Sequence, residues 1–165
     1  MKTTEDDDAR WELMSLAQVD EELIVVARDK GDGRAVKRLL ELYADPLCVD
    51  QTYQRTPLIW AAINGHIQAV EALLENVSST SQRKMIDLND RTGESALSWA
   101  CKCGWTEIVK RLLTYSRSTT HVLNQGWSLH HACLGGHEEI VSSLLEMPWI
   151  DVNQEDKMYG STSLH

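Results

Sequence analysis

Apolar and polar residues follow one another along this 165-residue chain in a pattern that occurs four times. In each copy an aliphatic residue is followed by Ala three places on and by Gly seven places on, and a Leu-Leu pair begins eight residues after the Gly. The aliphatic residues are Ile24, Leu58, Leu97 and Leu129, and the glycines are Gly31, Gly65, Gly104 and Gly136. Agreement at this many positions indicates a repeat architecture, which determines the whole fold.

Each copy predicts two short antiparallel helices that meet at its glycine. In the second copy Ile67, Val70, Leu73 and Leu74 fall on one helical face, as expected for an amphipathic helix. A glycine readily adopts the positive φ of a tight turn between helices. Because helices of this length are marginal on their own, neighbouring copies must stack to bury their apolar faces.

The residues around the second glycine resemble a known family signature. The stretch Thr56-Pro57-Leu58-Ile59-Trp60-Ala61-Ala62-Ile63-Asn64-Gly65-His66 is similar to the ankyrin signature T-P-L-H-x-A-A-x-x-G-H, and residues 128–137 and 95–104 resemble it too. Asp87-Leu88-Asn89 and Asp151-Val152-Asn153 resemble the D-V-N that leads into the family's β-hairpin finger. The resemblance covers about residues 22–165 and implies L-shaped repeats with a concave, protein-binding surface.

We therefore expect an all-α ankyrin repeat solenoid of paired antiparallel helices, with short, partly truncated β-hairpin fingers and an N-terminal capping helix. The predicted regions are a disordered acidic tail at 1–8, the capping helix at 9–19 and the array at 20–165. The repeats are predicted at about 22–54, 55–93, 94–125 and 126–158, with the start of a fifth at 159–165. A chain that stops inside a repeat is expected to be a fragment of a longer protein.

Several local features depart from the family pattern. We expect Asp8 to cap the first helix and Asp20 to begin the inner helix of repeat one. The polar residues 78–84 predict a mobile loop. Short spacings from Asn89 to Ser95 and before Trp127 predict that the fingers of repeats three and four are shortened.

Charge and composition restrict the possible functions. The net charge is −9, and residues 1–22 contain two basic and eight acidic side chains, so the acidity is concentrated at the N-terminus. An acidic chain argues against nucleic-acid binding, which requires a basic face. The apolar runs are too short to insert into a membrane. Four cysteines beside apolar runs, without a signal peptide, predict reduced thiols in an intracellular, cytoplasmic protein that is expected to be a monomer.

Candidate chemistry is weak. His130, His131, Cys133 and His137 have no standard zinc spacing, and the resemblance gives His130 and His137 structural roles in the turns. No nucleophile–base pair or phosphate-binding loop is evident in the sequence. We therefore expect no catalytic, metal or cofactor site and no enzymatic activity.

Four tryptophans lie at informative positions. Trp60 and Trp99 share a position that is usually apolar in the family, which favours a core role over partner contact. Trp105 replaces the histidine that follows the glycine, and Trp127 replaces the threonine of the signature. Both are expected to lose a turn hydrogen bond and to lie half-exposed.

The resemblance also carries partner-binding positions onto this chain. In the family, the two residues before the inter-helix glycine and the finger tips project into the concave groove. The positions predicted here to contact a partner are Tyr53, Arg55, Ile63, Asn64, Arg91 and Lys102. Tyr and Arg are enriched in binding hot spots, and Ile63 and Leu134 would be exposed apolar side chains. The alternative is an ordinary solvated helix face.

Three functions remain open from the sequence. The first is a scaffold or adaptor that binds a protein partner. The second is a regulatory array of a larger enzyme or channel whose active domain lies C-terminal to residue 165. The third is an effector secreted by an intracellular microbe.

Overall fold

The computed structural model describes residues 10–11, 13–116 and 125–148, which form stacked pairs of helices. The helices in these residues are α1 (Leu16–Val25), which continues as a π-helical segment (Val26–Lys30), α2 (Gly33–Glu41), α3 (Pro57–Asn64), α4 (Ile67–Glu75), α5 (Ser79–Asp87), α6 (Ala96–Cys103), α7 (Thr106–Ser116), α8 (Gln125–Leu134) and α9 (Glu138–Leu145). The inner helices α1, α3, α6 and α8 pack side by side, and so do the outer helices α2, α4, α7 and α9. The predicted all-α repeat fold is confirmed. None of the described helices is long and apolar enough to cross a membrane.

The core lies between the inner and outer layers and between neighbouring repeats. On the inner helices it contains small, fully buried side chains, which are Ala27, Ala61, Ala100 and Ala132. On the outer helices it contains large, fully buried side chains, which are Leu39, Leu73, Leu112 and Leu144. Small residues let the inner helices approach closely, and each buried leucine contributes about 1.5–3 kcal/mol. Stability is therefore spread over many contacts between repeats.

Side chains and glycines define the ends of the inner helices. The hydroxyl groups of Thr56 and Ser95 each accept a hydrogen bond at 3.2 Å from the backbone N–H three residues on, so they cap α3 and α6. Gly65 and Gly104 end the same helices in the left-handed conformation, with φ of 76° and 78°. The turn predicted at each of these glycines is confirmed.

Between its buried leucine and its glycine, the first inner helix contains one residue more than the second. Leu23 and Leu58 are both fully buried at the start of their repeats. The left-handed glycine follows Leu58 by seven residues but follows Leu23 by eight. The π-helical segment Val26–Lys30 accommodates the extra residue, as π-bulges do. Leu23, and not Ile24 as the sequence pattern predicted, is therefore the counterpart of Leu58.

The first inner helix also begins earlier than predicted. The backbone N–H of Ser15 donates to Oε1 of Gln18 at 2.9 Å, and α1 starts at Leu16. Asp20, the predicted start, lies inside α1, and its carboxylate accepts a hydrogen bond from the N–H of Asp45 at 2.6 Å. The prediction that Asp20 begins this helix is therefore wrong, since Asp20 connects α1 to the loop after α2 instead.

The predicted loop at residues 78–84 is also wrong, because this segment belongs largely to α5. The hydroxyl group of Ser78 caps α5 by accepting from the N–H of Ser81 at 3.2 Å. Met85 and Ile86 then bury their side chains, and α5 packs on α7. The polar composition of the first turn concealed the two apolar residues that hold the helix in place.

The finger before repeat three is reduced to a single antiparallel bridge between Asn89 and Ser95. This agrees with the shortening predicted from their spacing. The backbone N–H of Arg91 donates to the carbonyl oxygen of Tyr53 at 2.8 Å, so this finger rests on the preceding one.

Some predicted features lie outside the described residues. They are the acidic tail at 1–8 with Asp8, the shortened finger predicted before repeat four and the start of the fifth repeat at 159–165. Within the predicted capping helix, residues 10–11 are helical and Trp11 is buried. The boundaries proposed for the regions and repeats stay predictions.

Alanine substitution at two glycines should separate the cost of a left-handed backbone from the cost of a steric clash. Gly65 and Gly93 have φ of 76° and 85°. A Cβ atom on Gly65 would lie 2.7 Å from Cε2 of Trp105, whereas one on Gly93 would meet no atom within 4 Å. The left-handed conformation costs alanine about 1–2 kcal/mol, so we expect that loss for Gly93→Ala and at least about 1 kcal/mol more for Gly65→Ala. Urea unfolding followed by circular dichroism measures both, and equal losses would contradict the packing of Trp105 on Gly65.

Candidate protein-binding surface

The side chain of Arg55 lies among three aromatic rings. Its guanidinium carbon is 4.5 Å from the ring centre of Tyr53 and 4.7 Å from the rings of Trp60 and of Trp99. Trp60 comes from α3 and Trp99 from α6, so Arg55 bridges two neighbouring inner helices. A cation against an aromatic face contributes about 0.5–2 kcal/mol, and most when it is shielded from water. The side chain of Arg55 is only 11% exposed.

Two further cations extend this arrangement at its ends. The guanidinium carbon of Arg28 lies 5.6 Å from the ring centre of Trp60, and Nζ of Lys102 lies 4.7 Å from that of Trp99. Cations and tryptophan rings therefore alternate across repeats one to three. We call this set the cation–aromatic ladder, and its members are Arg28, Tyr53, Arg55, Trp60, Trp99 and Lys102.

Asp90 anchors the ladder. Its fully buried carboxylate accepts hydrogen bonds at 3.0 Å from Nε of Arg55 and from the indole N–H of Trp99. It also accepts from the backbone N–H of Thr92 at 2.9 Å and of Glu94 at 3.2 Å, which shapes the finger turn. Burial opposes ionisation of Asp90, but the hydrogen bonds outweigh burial and hold its pKa below the ordinary value.

Asp50 organises the preceding finger in the same way. Its carboxylate accepts from the backbone N–H of Thr52 at 2.9 Å and of Tyr53 at 2.6 Å, and from the indole N–H of Trp60 at 2.9 Å. Here too burial raises the pKa, while the hydrogen bonds from Tyr53 and its neighbours lower it below the ordinary value. In each finger an aspartate thus folds its own turn and holds the tryptophan of the next inner helix.

A histidine and a glutamate form the corresponding contact at repeat four. Nε2 of His131, at the position equivalent to Trp60 and Trp99, lies 2.8 Å from Oε1 of Glu94. The other oxygen of Glu94 accepts from the hydroxyl group of Ser98. Burial opposes ionisation of Glu94, but His131 and Ser98 lower its pKa below the ordinary value. This contact joins repeats three and four.

The residue after each of two inter-helix glycines bonds to the preceding repeat. Nε2 of His66 lies 3.0 Å from the carbonyl oxygen of Arg28, and the indole N–H of Trp105 donates to the carbonyl oxygen of Ile63 at 3.1 Å. The predicted loss of this hydrogen bond at Trp105 is therefore wrong, because an indole N–H replaces the imidazole nitrogen. The predicted half-exposure of Trp105 is confirmed at 42%. Arg28 and Ile63 are equivalent positions, in agreement with the one-residue offset in repeat one.

The six residues predicted to contact a partner differ in how exposed their side chains are. Four are exposed, and they are Tyr53, Asn64, Arg91 and Lys102. Ile63 is half-buried against the core instead of fully exposed. Arg55 is mostly buried and bound to Asp90, so its main role is to stabilise the fold. Leu134 is 74% exposed, as expected.

Contacts within the chain bring these residues together. Tyr53, Arg55 and Lys102 belong to the ladder. The side-chain amide of Asn64 donates to the carbonyl oxygen of Arg28 at 3.0 Å, next to His66. Lys30 is exposed and directly precedes Gly31, as Asn64 directly precedes Gly65. We call the side formed by the ladder, Lys30, Ile63, Asn64 and Arg91 the inner face.

Sequence reasoning missed part of this site. Arg28 was hidden by the one-residue offset, and Asp50 and Asp90 resembled ordinary turn residues. Trp60 and Trp99, predicted as core, are half-buried and present ring faces to cations. The recurring order of an aspartate, a threonine two residues on and a tryptophan nine or ten residues on was a usable signal.

The four cysteines are free thiols. Cys101 is buried and Cys103 is exposed. Burial and the nearby carboxylates of Asp20 and Asp45 raise the pKa of Cys48 to about 12. In the part of the chain that the structure describes, no group of three or more His, Cys, Asp or Glu side chains could hold a metal ion.

A family model described as "Ankyrin repeats (3 copies)" matches residues 23–115 and 80–156. The chain belongs to the ankyrin repeat family. The recognised residues include α2 to α9, both aspartate-built fingers and the ladder. Ankyrin repeats are protein-interaction modules.

The segment that matches this chain is a small part of the length of the curated relatives. The chain is 35% identical over 129 residues to the probable E3 ubiquitin-protein ligase XBOS32 of Oryza sativa subsp. japonica, covering 76% of this chain and 24% of that protein. It is 33% identical over 130 residues to the E3 ubiquitin-protein ligase XBAT33 of Arabidopsis thaliana, with the same coverage of 76% and 24%. It is 30% identical over 93 residues to transient receptor potential cation channel subfamily A member 1 of Homo sapiens, covering 56% of this chain and 8% of that protein. The chain thus spans about a quarter of the two ligases.

Replacing Arg55 should destabilise this ankyrin array. Arg55→Met keeps the length of the side chain but leaves the buried carboxylate of Asp90 without its cation, and breaking a buried pair in this way costs about 3–5 kcal/mol. We expect a loss near the lower bound, because Asp90 keeps its other donors. Arg91→Met, on an exposed residue of the next finger, should change the free energy of unfolding by less than about 0.5 kcal/mol. Urea unfolding of both variants tests this, and similar losses would contradict the anchoring role of Arg55.

Stability should depend on pH through the ladder carboxylate. The pKa of Asp90 is lowered in the folded chain, so its contribution is complete above the unfolded pKa of about 3.9 and is lost as pH falls through the folded value. We expect the urea midpoint of the natural chain to fall more steeply between pH 5 and pH 3 than that of Asp90→Asn. Parallel pH profiles would show that Asp90 contributes no such term.

Proposed function

We propose that this ankyrin array is an adaptor that binds a protein partner through its inner face. The observation that carries the proposal is the inner face itself, where exposed Tyr53, Arg91 and Lys102 stand on fingers and helices fixed by internal hydrogen bonds. Side chains held on a rigid frame lose little conformational entropy when a partner binds. Tyrosine and arginine are also enriched in binding hot spots. The four free thiols suit an intracellular, cytoplasmic protein, and the adaptor is proposed to be a monomer.

A second candidate is a regulatory array within a larger enzyme or channel. It is favoured by the relatives named as ubiquitin ligases and as a cation channel, in which the segment that matches this chain is a small fraction of the protein. The inner face would then bind either a substrate protein or another domain of the same chain. The ligase and channel activities themselves are properties of those relatives.

The adaptor proposal is tested by removing exposed side chains from the inner face. The test variant is Tyr53→Ala/Arg91→Ala/Lys102→Ala, and the control is Tyr43→Ala/Arg34→Ala/Lys37→Ala, which truncates the same residue types on and after α2. All six side chains are exposed. Both variants should keep the helical circular dichroism of the natural chain.

The natural chain is used to capture proteins from a lysate of the cells in which it occurs. We expect the control variant to capture the same proteins in similar amounts. The test variant should capture at least about tenfold less of them, since hot-spot truncations cost about 2 kcal/mol or more. Quantitative mass spectrometry measures the captured amounts. Equal capture by both variants would place binding away from the inner face and reject the proposal.

A further inference from the structure

The inner face has cations that are available to a ligand. Lys30, Arg91 and Lys102 are exposed, and none of them forms an ion pair with a carboxylate within the described part of the chain. Lys102 is held over Trp99 by a cation–aromatic contact, which positions its ammonium group, and its charge also acts on the buried carboxylate of Glu94 without forming an ion pair with it. Arg28 is paired with Asp29, at 2.7 Å between Nε and Oδ1.

The carboxylates of the same face are already occupied. Asp50 and Asp90 accept hydrogen bonds from finger N–H groups and from indoles, and Glu94 accepts from His131 and Ser98. Asp90 and Glu94 are buried as well. A cationic ligand would find these acceptors filled, whereas an anionic ligand would find free ammonium and guanidinium groups. Asp29 is the half-exposed carboxylate of this face, and it is paired with Arg28. Within the described residues the inner face therefore offers three exposed cations without an ion pair, which favours an anionic ligand although the whole chain has a net charge of −9.

The spacing of the cations suits an extended peptide. Adjacent packed helices lie about 8–10 Å apart, so Lys30 in repeat one and Lys102 in repeat three are separated by about 20 Å. An extended chain advances about 3.3 Å per residue, and it would cover this distance in about six residues. Half-buried Ile63 of repeat two lies between them and offers an apolar contact at mid-length.

We propose that the inner face binds an extended acidic segment of a partner protein. Two carboxylates of the segment, about six residues apart, pair with Lys30 and Lys102, and an apolar side chain between them contacts Ile63. Arg91 on the finger offers a further contact to the acidic side chains. This assignment rests on the proposed function, because it names the partner class for the same surface. A nucleic acid is disfavoured, since three separated cations on an acidic protein cannot follow a phosphate backbone.

The test is selection from a display library of random dodecapeptides. The full chain is the bait, and each selected peptide is then measured against the test variant Lys30→Glu/Lys102→Glu. The matched control is Lys37→Glu/Lys84→Glu, which makes the same change of charge on the outer helix α2 and on α5. The four lysines are exposed.

We expect the selected peptides to be enriched in Asp and Glu at positions about six apart. A synthetic selected peptide should bind the natural chain and the control alike in fluorescence anisotropy. It should bind Lys30→Glu/Lys102→Glu at least about tenfold more weakly, because each attraction becomes a repulsion. Its affinity should also fall as salt is raised from 50 to 300 mM.

Other outcomes would overturn the proposal in distinguishable ways. Neutral or basic peptides that lose binding to Tyr53→Ala/Arg91→Ala/Lys102→Ala would leave the adaptor function intact and reject the acidic class. Peptides indifferent to every inner-face variant would count against both proposals. A tenfold gain in peptide affinity on Glu5→Gln/Asp6→Asn/Asp7→Asn/Asp8→Asn would identify the chain's own acidic residues as the occupant. Stronger binding of a single-stranded oligonucleotide than of the selected peptide would also overturn it.

Discussion

The buried carboxylate of Asp90 is the constraint on which the inner face depends. A carboxylate without solvent must be surrounded by donors, and Asp90 obtains them from its own finger, from Arg55 of the preceding finger and from Trp99 of the next inner helix. Arg55 is in turn held between three rings, so the positions of two fingers and two helices are determined together. Replacing any one of these side chains alone would leave a buried charge without its partner or an aromatic ring without its stacking contact.

The two sides of the array are stabilised by different kinds of polar contact. On the inner face Arg55 and Asp90 form a buried ion pair, and Arg55 is enclosed by aromatic rings. On the outer side, Lys110 pairs with Glu139 at 2.6 Å and Arg111 pairs with Glu71, and these side chains are between 33% and 66% exposed. Exposed pairs of this kind contribute about 0–1 kcal/mol each. The outer layer therefore relies on its leucines, whereas the inner face is held by directional bonds that also fix where its side chains point.

The sequence predicted the properties that repeat and missed those that depend on contacts between repeats. The helix pairs, the capping by Thr56 and Ser95 and the turns at the glycines follow from spacing that recurs within the chain. Arg55 and Asp90 are 35 residues apart, and nothing in the local pattern of either residue indicates that they meet. Met85 and Ile86 were missed for a related reason, since two apolar residues after a polar turn indicate a helix only once α7 is present to cover them.

The π-helical segment of repeat one places an insertion inside a helix while the turn that follows keeps its glycine. Ankyrin repeats are normally compared in a frame of about 33 residues, counted here from that glycine. In such a frame Asp29 aligns with Ile63 and Lys102. The carbonyl group that receives His66, however, belongs to Arg28, which makes Arg28 the physical counterpart. The choice of frame thus decides whether the first position of this surface is assigned to the anion Asp29 or to the cation Arg28. A repeat aligned by length alone and grafted into another array would therefore place the wrong charge at this position.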